Sequence, residues 1–309
     1  PMGGGNVQTY DLHAVGSGVV TVQHTSTNAW VDGPKTVGVW PAAEPADGLV
    51  AYWSFNNDTL AESGGAIPAG LHDGDAQGSV TFSAGPTGFG RALNLNAANS
   101  AVRIRNSGGN DPAYVNTFDG NLYDSAEGFS IAFWALGFPT NQWNPWLAKK
   151  GEDNWGYQVR ANGGGPSATF TLRSSNGDDD PSGTSTDFKD GRWHHLTAVY
   201  DPVNGQRRLY VDGVAQLNIT DGGLNPGNTA SEHLMFGARE NESGDPIQNI
   251  SYGGNISLDE VRVYKKALGD AQVMDLVGSV VSTPPSLALV SPSPNDHFVT
   301  IFVPPSVVA

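Results

Sequence analysis

Bulky and polar residues alternate along two neighbouring stretches of the chain, residues 193–201 and residues 208–213. Pro202, Asn204 and Gly205 lie between the two stretches, and the second one ends in Asp-Gly. A period of two along the chain predicts β-strands, and Asp-Gly supplies the positive φ angles that a tight hairpin requires. The pattern therefore predicts a β-meander in this region.

The residues of these strands also resemble the pattern of a known protein family. Residues 191–201 read Gly-Arg-Trp-His-His-Leu-Thr-Ala-Val-Tyr-Asp, and residues 208–213 read Arg-Leu-Tyr-Val-Asp-Gly. Further segments that match the family follow its order along the chain: 49–55, 72–74, 90–95, 129–134 and 255–264, ahead of Ala267 and Leu268. The chain thus resembles the laminin-G-like branch of the concanavalin A-like β-sandwiches.

The resemblance implies an all-β fold, a two-sheet antiparallel concanavalin A-like jelly-roll sandwich over residues 48–278. Composition agrees with this: 40 glycines and 20 prolines in 309 residues indicate many turns, and a hydrophobic content of 38% is enough for a large core. We expect two sheets packed face to face, with core side chains from the following positions: Tyr52, Trp53 or Phe55, Phe133, Leu196, Tyr210 and Val261.

The two ends of the chain lie outside this pattern. Alternation at 7–13 and 19–24 predicts a strand-rich N-terminal extension over residues 1–47. The C-terminal segment 279–309 begins with a proline-rich linker, and its residues 287–292 resemble the first strand of a bacterial immunoglobulin-like repeat. A two-stranded ribbon is marginal in water. We therefore expect a terminal segment to dock as a strand on another copy of the protein or on a neighbouring domain.

The chain is acidic, with 16 basic and 31 acidic residues and a formal net charge of −15. Such a surface repels phosphate backbones, which argues against nucleic acid as a partner. No stretch approaches the roughly 18 consecutive apolar residues of a membrane helix, so membrane insertion is not expected. The chain has no cysteine. Since extracellular domains of higher organisms commonly carry disulfides, we expect a bacterial protein located outside the cell or on its surface.

The resemblance also implies a structural calcium site. In the family, a side chain near the start of the closing strand acts together with groups from the loop after the opening strand. Asp259 occupies the first place; Asn56, Asn57 and Asp58 occupy the second, and Asp73 is in the nearby Gly-rich loop. The family often has Asp-Glu at the positions of Asn56 and Asn57, so fewer charges predict weaker binding of Ca²⁺. The alternative is that Asp259 only accepts hydrogen bonds from loop amides.

Three tryptophans, Trp143, Trp146 and Trp155, lie close together in the sequence among asparagine and aspartate residues. A sugar requires an apolar ring face beside hydrogen-bonding groups, so these residues are candidates for glycan binding. The alternative is that they belong to the core, where tryptophans are largely buried.

No catalytic arrangement is predicted. Retaining glycosidases need two carboxylates about 5 Å apart, and the nearest candidate pair, Glu240 and Glu242, directly precedes a loop. His194 and His195 are adjacent in a strand and point to opposite faces, so they do not chelate one ion together. We expect structural roles for both histidines and no enzymatic activity.

The sequence thus predicts a non-catalytic extracellular module with an adhesive or structural role in a larger cell-surface or filamentous assembly. The competing prediction is a carbohydrate-binding module of a secreted polysaccharide-degrading enzyme. The fold does not decide between them, because unrelated functions share it.

Overall fold

A computed structural model of the chain describes the following residues: 18–22, 35–39, 48–63, 70–97, 99–109, 111–112, 118, 127–140, 142–149, 156–174, 177–178, 182–220, 232–240, 250–252, 254–278, 288–289 and 301–302. Residues 45–277 form one compact unit, and the terminal segments 1–44 and 278–309 form a second unit. The domain boundaries expected from the sequence stay a prediction.

Apart from one α-helix, the regular secondary structure of the described part of the chain consists of strands. In chain order the elements are β1 (Gly18–Val22), β2 (Lys35–Val39), β3 (Leu49–Trp53), β4 (Gly74–Gln77), β5 (Thr81–Ala84), β6 (Arg91–Leu95), β7 (Ala101–Ile104), β8 (Phe129–Leu136), β9 (Pro145–Lys149), β10 (Gly156–Ala161), β11 (Ala168–Ser174), β12 (Gly177–Asp178), β13 (Trp193–Asp201), β14 (Gln206–Val211), β15 (Val214–Thr220), β16 (Met235–Phe236), β17 (Ala238–Glu240), β18 (Ile250–Tyr252), β19 (Ile256–Tyr264), α1 (Asp270–Val277), β20 (Ala288–Leu289) and β21 (Ile301–Phe302). The predicted all-β fold class is confirmed.

Two antiparallel sheets make up most of the compact unit. The larger sheet has the order β15-β14-β13-β8-β19-β6-β5, and β3 also pairs with β19. The second sheet has the order β12-β11-β10-β9-β16-β7-β4. The meander predicted from the alternation is present, because β13, β14 and β15 are neighbours in the larger sheet.

Side chains from the facing surfaces of the two sheets form the core. Five of the expected positions belong to it and are at most 1% exposed: Trp53, Phe55, Phe133, Leu196 and Val261. Burying one such side chain stabilises the fold by roughly 1.5 to 3 kcal/mol. These core predictions are confirmed.

The prediction that Tyr52 belongs to the core is wrong, whereas Tyr210 is buried as predicted, in a second core cluster that does not lie between the two sheets. Successive residues of a strand point to opposite sides, and Trp53 is the neighbour of Tyr52 that points into the core. Both tyrosines lie on the outer face, defined as the face of the larger sheet that is turned away from the second sheet. Tyr210 is buried there in a separate cluster, in which Leu268 and Val273 from the region of α1 cover the sheet.

The strand β19 contains a β-bulge near its middle. Asp259 pairs with Trp134 of β8 and Arg262 pairs with Ala132, so three steps along β19 match only two steps along β8. Glu260 is the additional residue, and its φ of 53° lies in the left-handed region. Because one residue is added, Leu258 and Val261 both face the core, although they are three positions apart.

Polar contacts stabilise the bulge. The Tyr52 hydroxyl donates to the Glu260 carboxylate at 2.9 Å, and Nη2 of Arg262 donates to Oε2 of Glu260 at 2.5 Å. The Arg262 guanidinium also lies over the Tyr52 ring, 4.4 Å from its centroid. A buried charge that is paired in this way avoids most of the free-energy cost of desolvation.

The second unit contains two short antiparallel ladders. β1 pairs with β2, and β20 pairs with β21. The expected immunoglobulin-like repeat and the docking of a terminal strand on another molecule stay predictions. Among the described residues, no helix is long and apolar enough to cross a membrane.

A buried pair of titratable groups lies beside the core. Nδ1 of His72 is 3.9 Å from Oε2 of Glu62, and the side chains are 0% and 2% exposed. Neither side chain has a hydrogen-bond partner in the described part of the chain, and the His72 ring lies 4.7 Å from that of Phe118. Burial raises the pKa of the Glu62 carboxyl to about 7 and lowers the pKa of His72 to about 4.

The Glu62→Gln variant should reveal the cost of ionising this carboxyl. Its pKa is raised in the folded protein, so the wild type ionises at lower pH when it is unfolded. As the pH rises from about 4.5 to about 7, the free energy of unfolding of the wild type should therefore fall by roughly 2 to 3 kcal/mol relative to that of the variant. Urea unfolding at a series of pH values measures this difference, in which the opposing contribution of His72 cancels. Parallel pH profiles would contradict the prediction.

Candidate functional site

A cavity opens at one end of the larger sheet, where β6 and β8 end and β13 and β19 begin. Its volume is about 750 Å³, which is in the range of small-ligand sites, roughly 300 to 1,000 Å³. We call it the end cavity and define it by its lining residues, which are 96, 136–140, 188–189, 191, 255 and 257. Loops on a rigid sheet are a common setting for binding sites.

The loop after β8 forms one wall of the end cavity. Gly137 has a φ of 85°, in the left-handed region that favours glycine. A methyl group at this position would collide with the carbonyl oxygen of Asn255. Asn255 has a φ of 54°, and its Nδ2 donates to the carbonyl oxygen of Phe138 at 3.3 Å. The loop after β8 is thereby held against the start of β19.

Three aromatic rings support this wall from the interior. The centroid of the buried Trp146 ring is 5.6 Å from that of Phe138 and 5.2 Å from that of Phe188, and both phenylalanines line the end cavity. Nε1 of Trp146 donates to the carbonyl oxygen of Gly137 at 3.2 Å. Such ring pairs add about 0.5 to 1.5 kcal/mol beyond burial. The wall is therefore a packed part of the structure.

Polar side chains line the open part of the end cavity. Asn96, Thr140, Lys189 and Asn255 are exposed, whereas Ser257 is almost completely buried at the bottom. Amides and hydroxyls both donate and accept hydrogen bonds, and the ammonium group only donates. The lining therefore suits a neutral or negatively charged polar ligand.

The predicted glycan-binding tryptophans have different positions. Trp143 is 36% exposed, and the Arg160 guanidinium lies over its ring, 4.4 Å from the ring centroid. Trp146 is fully buried, so its ring is not accessible to a ligand. Trp155 lies outside the described residues. Trp143 belongs to the same loop as the cavity residues Phe138 and Thr140 and precedes β9.

Asp259, the first predicted calcium ligand, is buried on the outer face. Its Oδ1 accepts a hydrogen bond from the backbone N–H of Glu260 at 2.8 Å. Its Oδ2 is buried and has no hydrogen-bond partner among the described residues. Burial, together with the charge of Glu260, raises the pKa of the Asp259 carboxyl to about 9. An unpartnered buried carboxylate oxygen is uncommon in folded proteins.

The loop between β5 and β6 lies against Asp259. A methyl group at Gly85 would collide with Oδ2 of Asp259, and one at Gly90 would collide with Oδ1 of Asn56. The same Asn56 oxygen accepts a hydrogen bond from the backbone N–H of Arg91 at 2.9 Å. The loop glycines thus allow two oxygen atoms of the predicted calcium ligands to pack directly against the backbone, and both residues approach the same short loop.

The other predicted calcium ligands do not join this group. Nε of Arg91 donates to the Asp58 carboxylate at 2.7 Å, near the surface, and Asn57 is exposed. Asp73 accepts a hydrogen bond from the backbone N–H of Glu62 at 2.9 Å. In the part of the chain that the structure describes, no three acidic or histidine side chains converge as a metal site.

The adjacent histidines lie on opposite faces of the larger sheet. Burial lowers the pKa of His195 to about 3, and its ring is 5.2 Å from that of Trp134. Burial also lowers the pKa of His194, but hydrogen bonds with Asp212 at 2.8 Å and Asp190 at 3.3 Å outweigh it and raise that pKa above its usual value. Both side chains are held by neighbours within the fold.

Glu240 is also part of the buried structure. Its carboxylate accepts hydrogen bonds from the backbone N–H of His233 at 2.9 Å and contacts Nδ1 of His233 at 2.7 Å. Nε2 of His233 is 3.1 Å from Asp111. Glu242 lies outside the described residues. The sequence analysis did not identify this buried network, because Asp111 is more than 120 positions away from His233 and Glu240.

The sequence analysis also missed the end cavity. Asn96, Lys189 and Asn255 belong to three distant segments that meet only in the folded sheet. A local signal existed for the loop after β8, since residues 137–140 read Gly-Phe-Pro-Thr directly after a strand. Glycine and proline at that point predict an ordered turn, although they do not predict a cavity.

A family model described as the concanavalin A-like lectin/glucanases superfamily, of the laminin G type, matches residues 107–274. This is more than half of the chain. The chain therefore belongs to the concanavalin A-like lectin/glucanases superfamily. A search of the curated protein sequences finds no match.

Solved structures share the same fold. Domain 4 of AbnA, a GH43 extracellular arabinanase from Geobacillus stearothermophilus, solved with arabinotriose, has a TM-score of 0.51 and 22% identity over 74% of this chain and 98% of that chain. The binding domain of Paraclostridial Mosquitocidal Protein 1 has a TM-score of 0.54 and 18% identity over 75% of this chain and 52% of that chain. The binding domain of Botulinum neurotoxin DC, in complex with SialylT, has a TM-score of 0.52 and 17% identity over 79% of this chain and 54% of that chain. The chain spans about half the length of the two toxin domains.

Two glycine variants test how the wall of the end cavity is held. Gly137 and Gly191 have φ values of 85° and 77° and both line the cavity, but a methyl group at Gly191 meets nothing within 4 Å. Gly191→Ala should lower the free energy of unfolding by about 1 kcal/mol through backbone strain alone. Gly137→Ala adds the collision with Asn255 and should cost at least about 1 kcal/mol more. Equal losses in urea unfolding would show that the contact with Asn255 does not constrain the wall.

Proposed function

We propose that the chain is a non-catalytic glycan-binding module and that the end cavity is its sugar site. The observation that carries this proposal is the combination of groups in the cavity. The exposed hydrogen-bonding side chains of Asn96, Thr140 and Asn255 line the same cavity as the apolar residues Leu136 and Pro139. Sugars have polar hydroxyl edges and apolar C–H faces, and a lining of this kind complements both.

The packing beneath the cavity supports the proposal. The Trp146, Phe138 and Phe188 rings hold the loop after β8, so the polar groups are positioned before a ligand arrives. A preorganised site loses less conformational entropy on binding. Trp143, in the same loop, is partly exposed and is proposed to contact sugar residues beyond the cavity.

The similar structures are consistent with this reading of the site. The arabinanase domain was solved with arabinotriose, and the binding domain of neurotoxin DC was solved with SialylT. In the proposal, the module works outside the cell, where it attaches either a polysaccharide-degrading enzyme or a surface assembly to glycans. The lining groups are amides, hydroxyls, one ammonium and apolar carbons, which bind and orient a sugar.

We propose in addition that Asp259 and Asn56 hold a structural calcium ion beside the loop of Gly85 and Gly90. The unpartnered Oδ2 of Asp259 and the approach of Asp259 and Asn56 to the same short loop support the fit. A bound ion would supply the positive charge that lets a buried carboxyl ionise. Since Asp259 is the single acidic ligand in this set, the affinity is expected to be modest.

Replacement of the proposed ligand Asp259 should abolish the stabilisation of the protein by calcium. Millimolar Ca²⁺ should raise the melting temperature of the wild type, because an ion that binds only the folded state stabilises it by mass action. Asp259→Asn should lose that increment, since the amide carries no charge. Asp73→Asn is the matched control and should keep it, because Asp73 bonds to Glu62 elsewhere. Differential scanning calorimetry with Ca²⁺ and with chelator measures the effect, and an unmoved wild-type curve would contradict the proposed ion site.

Loss of two cavity side chains should weaken glycan binding. The double variant Asn96→Ala, Thr140→Val removes exposed hydrogen-bonding groups, and it should raise the dissociation constant about tenfold if together they contribute roughly 1.4 kcal/mol. Titration calorimetry with the best glycan from an array gives the measurement.

A control separates the cavity from the general surface. Asn218→Ala removes an exposed asparagine from the edge strand β15 and should leave the dissociation constant unchanged. Trp143→Ala tests the proposed contact beyond the cavity. It should weaken the binding of longer oligosaccharides more than the binding of monosaccharides. An array without any bound glycan would refute the proposed function.

A further inference from the structure

The end cavity carries one charged lining residue in an acidic protein. The chain has a net charge of −15, yet the charged side chain in the lining is Lys189. The nearest carboxylates in sequence are engaged elsewhere: Asp187 accepts a hydrogen bond from the backbone N–H of Lys189 at 2.8 Å, and Asp190 contacts His194 and lies 3.8 Å from Arg192. Among the described residues, Lys189 is therefore the only charged side chain that lines the cavity.

The Lys189 ammonium retains binding capacity. Its Nζ lies 4.8 Å from the centroid of the Phe138 ring and 3.5 Å from the carbonyl oxygen of Gly164, at the limit of a hydrogen bond. No ion pair of Lys189 is formed within the described part of the chain. An ammonium group has three donors, so at least two of them are available to a ligand. The Phe138 ring restricts the group to the mouth of the cavity.

We propose that the end cavity selects sugars that carry a carboxylate, and that Lys189 is the specificity-determining residue. This inference rests on the proposed function, because it names the class of glycan that the same cavity takes. The amide and hydroxyl groups of Asn96 and Thr140 bind the hydroxyls of the sugar ring. The Lys189 ammonium pairs with its carboxylate. Uronic acids and sialic acids share this chemistry.

The size of the preference follows from the exposure of the lysine. Pairs between exposed charges contribute up to about 1 kcal/mol, which is roughly a fivefold change in affinity. Salt screens such pairs, so the preference should shrink as the ionic strength rises from about 0.01 M to about 1 M. Binding of a neutral sugar in the same cavity should change little over that range.

Two matched pairs of probes test the inference on the full chain and distinguish the two sources of the carboxylate. Trigalacturonate is compared with galactotriose, and sialyllactose is compared with lactose, by titration calorimetry at low and high salt. The wild type should bind at least one acidic probe about fivefold more tightly than its neutral counterpart. The pair that shows the preference identifies a uronate or a sialate.

Three lysine variants assign the preference to one residue. Lys189→Met keeps an apolar chain over Phe138 and should bind acidic and neutral probes equally, while Lys189→Arg should restore most of the preference. Lys265→Met is the control, because Lys265 is exposed beyond the far end of β19, roughly 25 Å from Ser257. It should behave as the wild type. Circular dichroism of each variant verifies the fold.

The possible failures are distinguishable. An acidic preference that persists in Lys189→Met overturns the inference, as does equal binding of both probes by the wild type. In these two cases the proposed function stands, provided that the neutral sugar still binds and the Asn96→Ala, Thr140→Val variant weakens it. If none of the probes and none of the array glycans binds, both the inference and the proposed function are overturned.

Discussion

The β-bulge of β19 determines which residues of this central strand face the core. β19 lies in the middle of the larger sheet, pairs with β8 along one side, and pairs with β6 and then β3 along the other. A regular strand would direct either Leu258 or Val261 out of the core, since side chains alternate with a period of two. The added residue Glu260 keeps Leu258 and Val261 in the core. It lies where the neighbouring strand of β19 changes from β6 to β3. Its left-handed backbone is maintained by the Tyr52 and Arg262 contacts.

Both candidate sites are positioned by this strand. Ser257 lines the end cavity, and Asp259 lies two residues further along on the same outer face, about 7 Å away. The loop after β8 lies beside Ser257, and the loop between β5 and β6 lies against Asp259. A change in the register of β19 would therefore alter the cavity and the carboxylate together. A proposed ion at Asp259 would stabilise the wall of the proposed sugar site as well.

Electrostatics gives the end cavity its distinct character. The chain carries a net charge of −15, and Asp187 and Asp190 near the cavity are hydrogen-bonded to a backbone amide and to His194. Among the described residues, Lys189 is the one charged side chain that lines the cavity itself. Strongly acidic proteins can bind acidic ligands only where such local charge is arranged. The fold is shared with many proteins, and the identity of the ligand is a property of these few side chains.

The sequence by itself determined the strands and much of the core, because alternation and turn residues act between near neighbours. The meander of β13 and β14 and the buried positions of Trp53, Phe133 and Leu196 were predictable for this reason. The resemblance to the family pointed to Asp259, whose buried oxygen only the structure displays. Tyr52 was misplaced, since hydrophobicity does not reveal which face of a sheet a side chain occupies. Tyr210 is buried as expected, but in the cluster that α1 covers on the outer face. The end cavity was decided by tertiary structure alone, because Asn96, Lys189 and Asn255 meet only after β6, β8, β13 and β19 have paired.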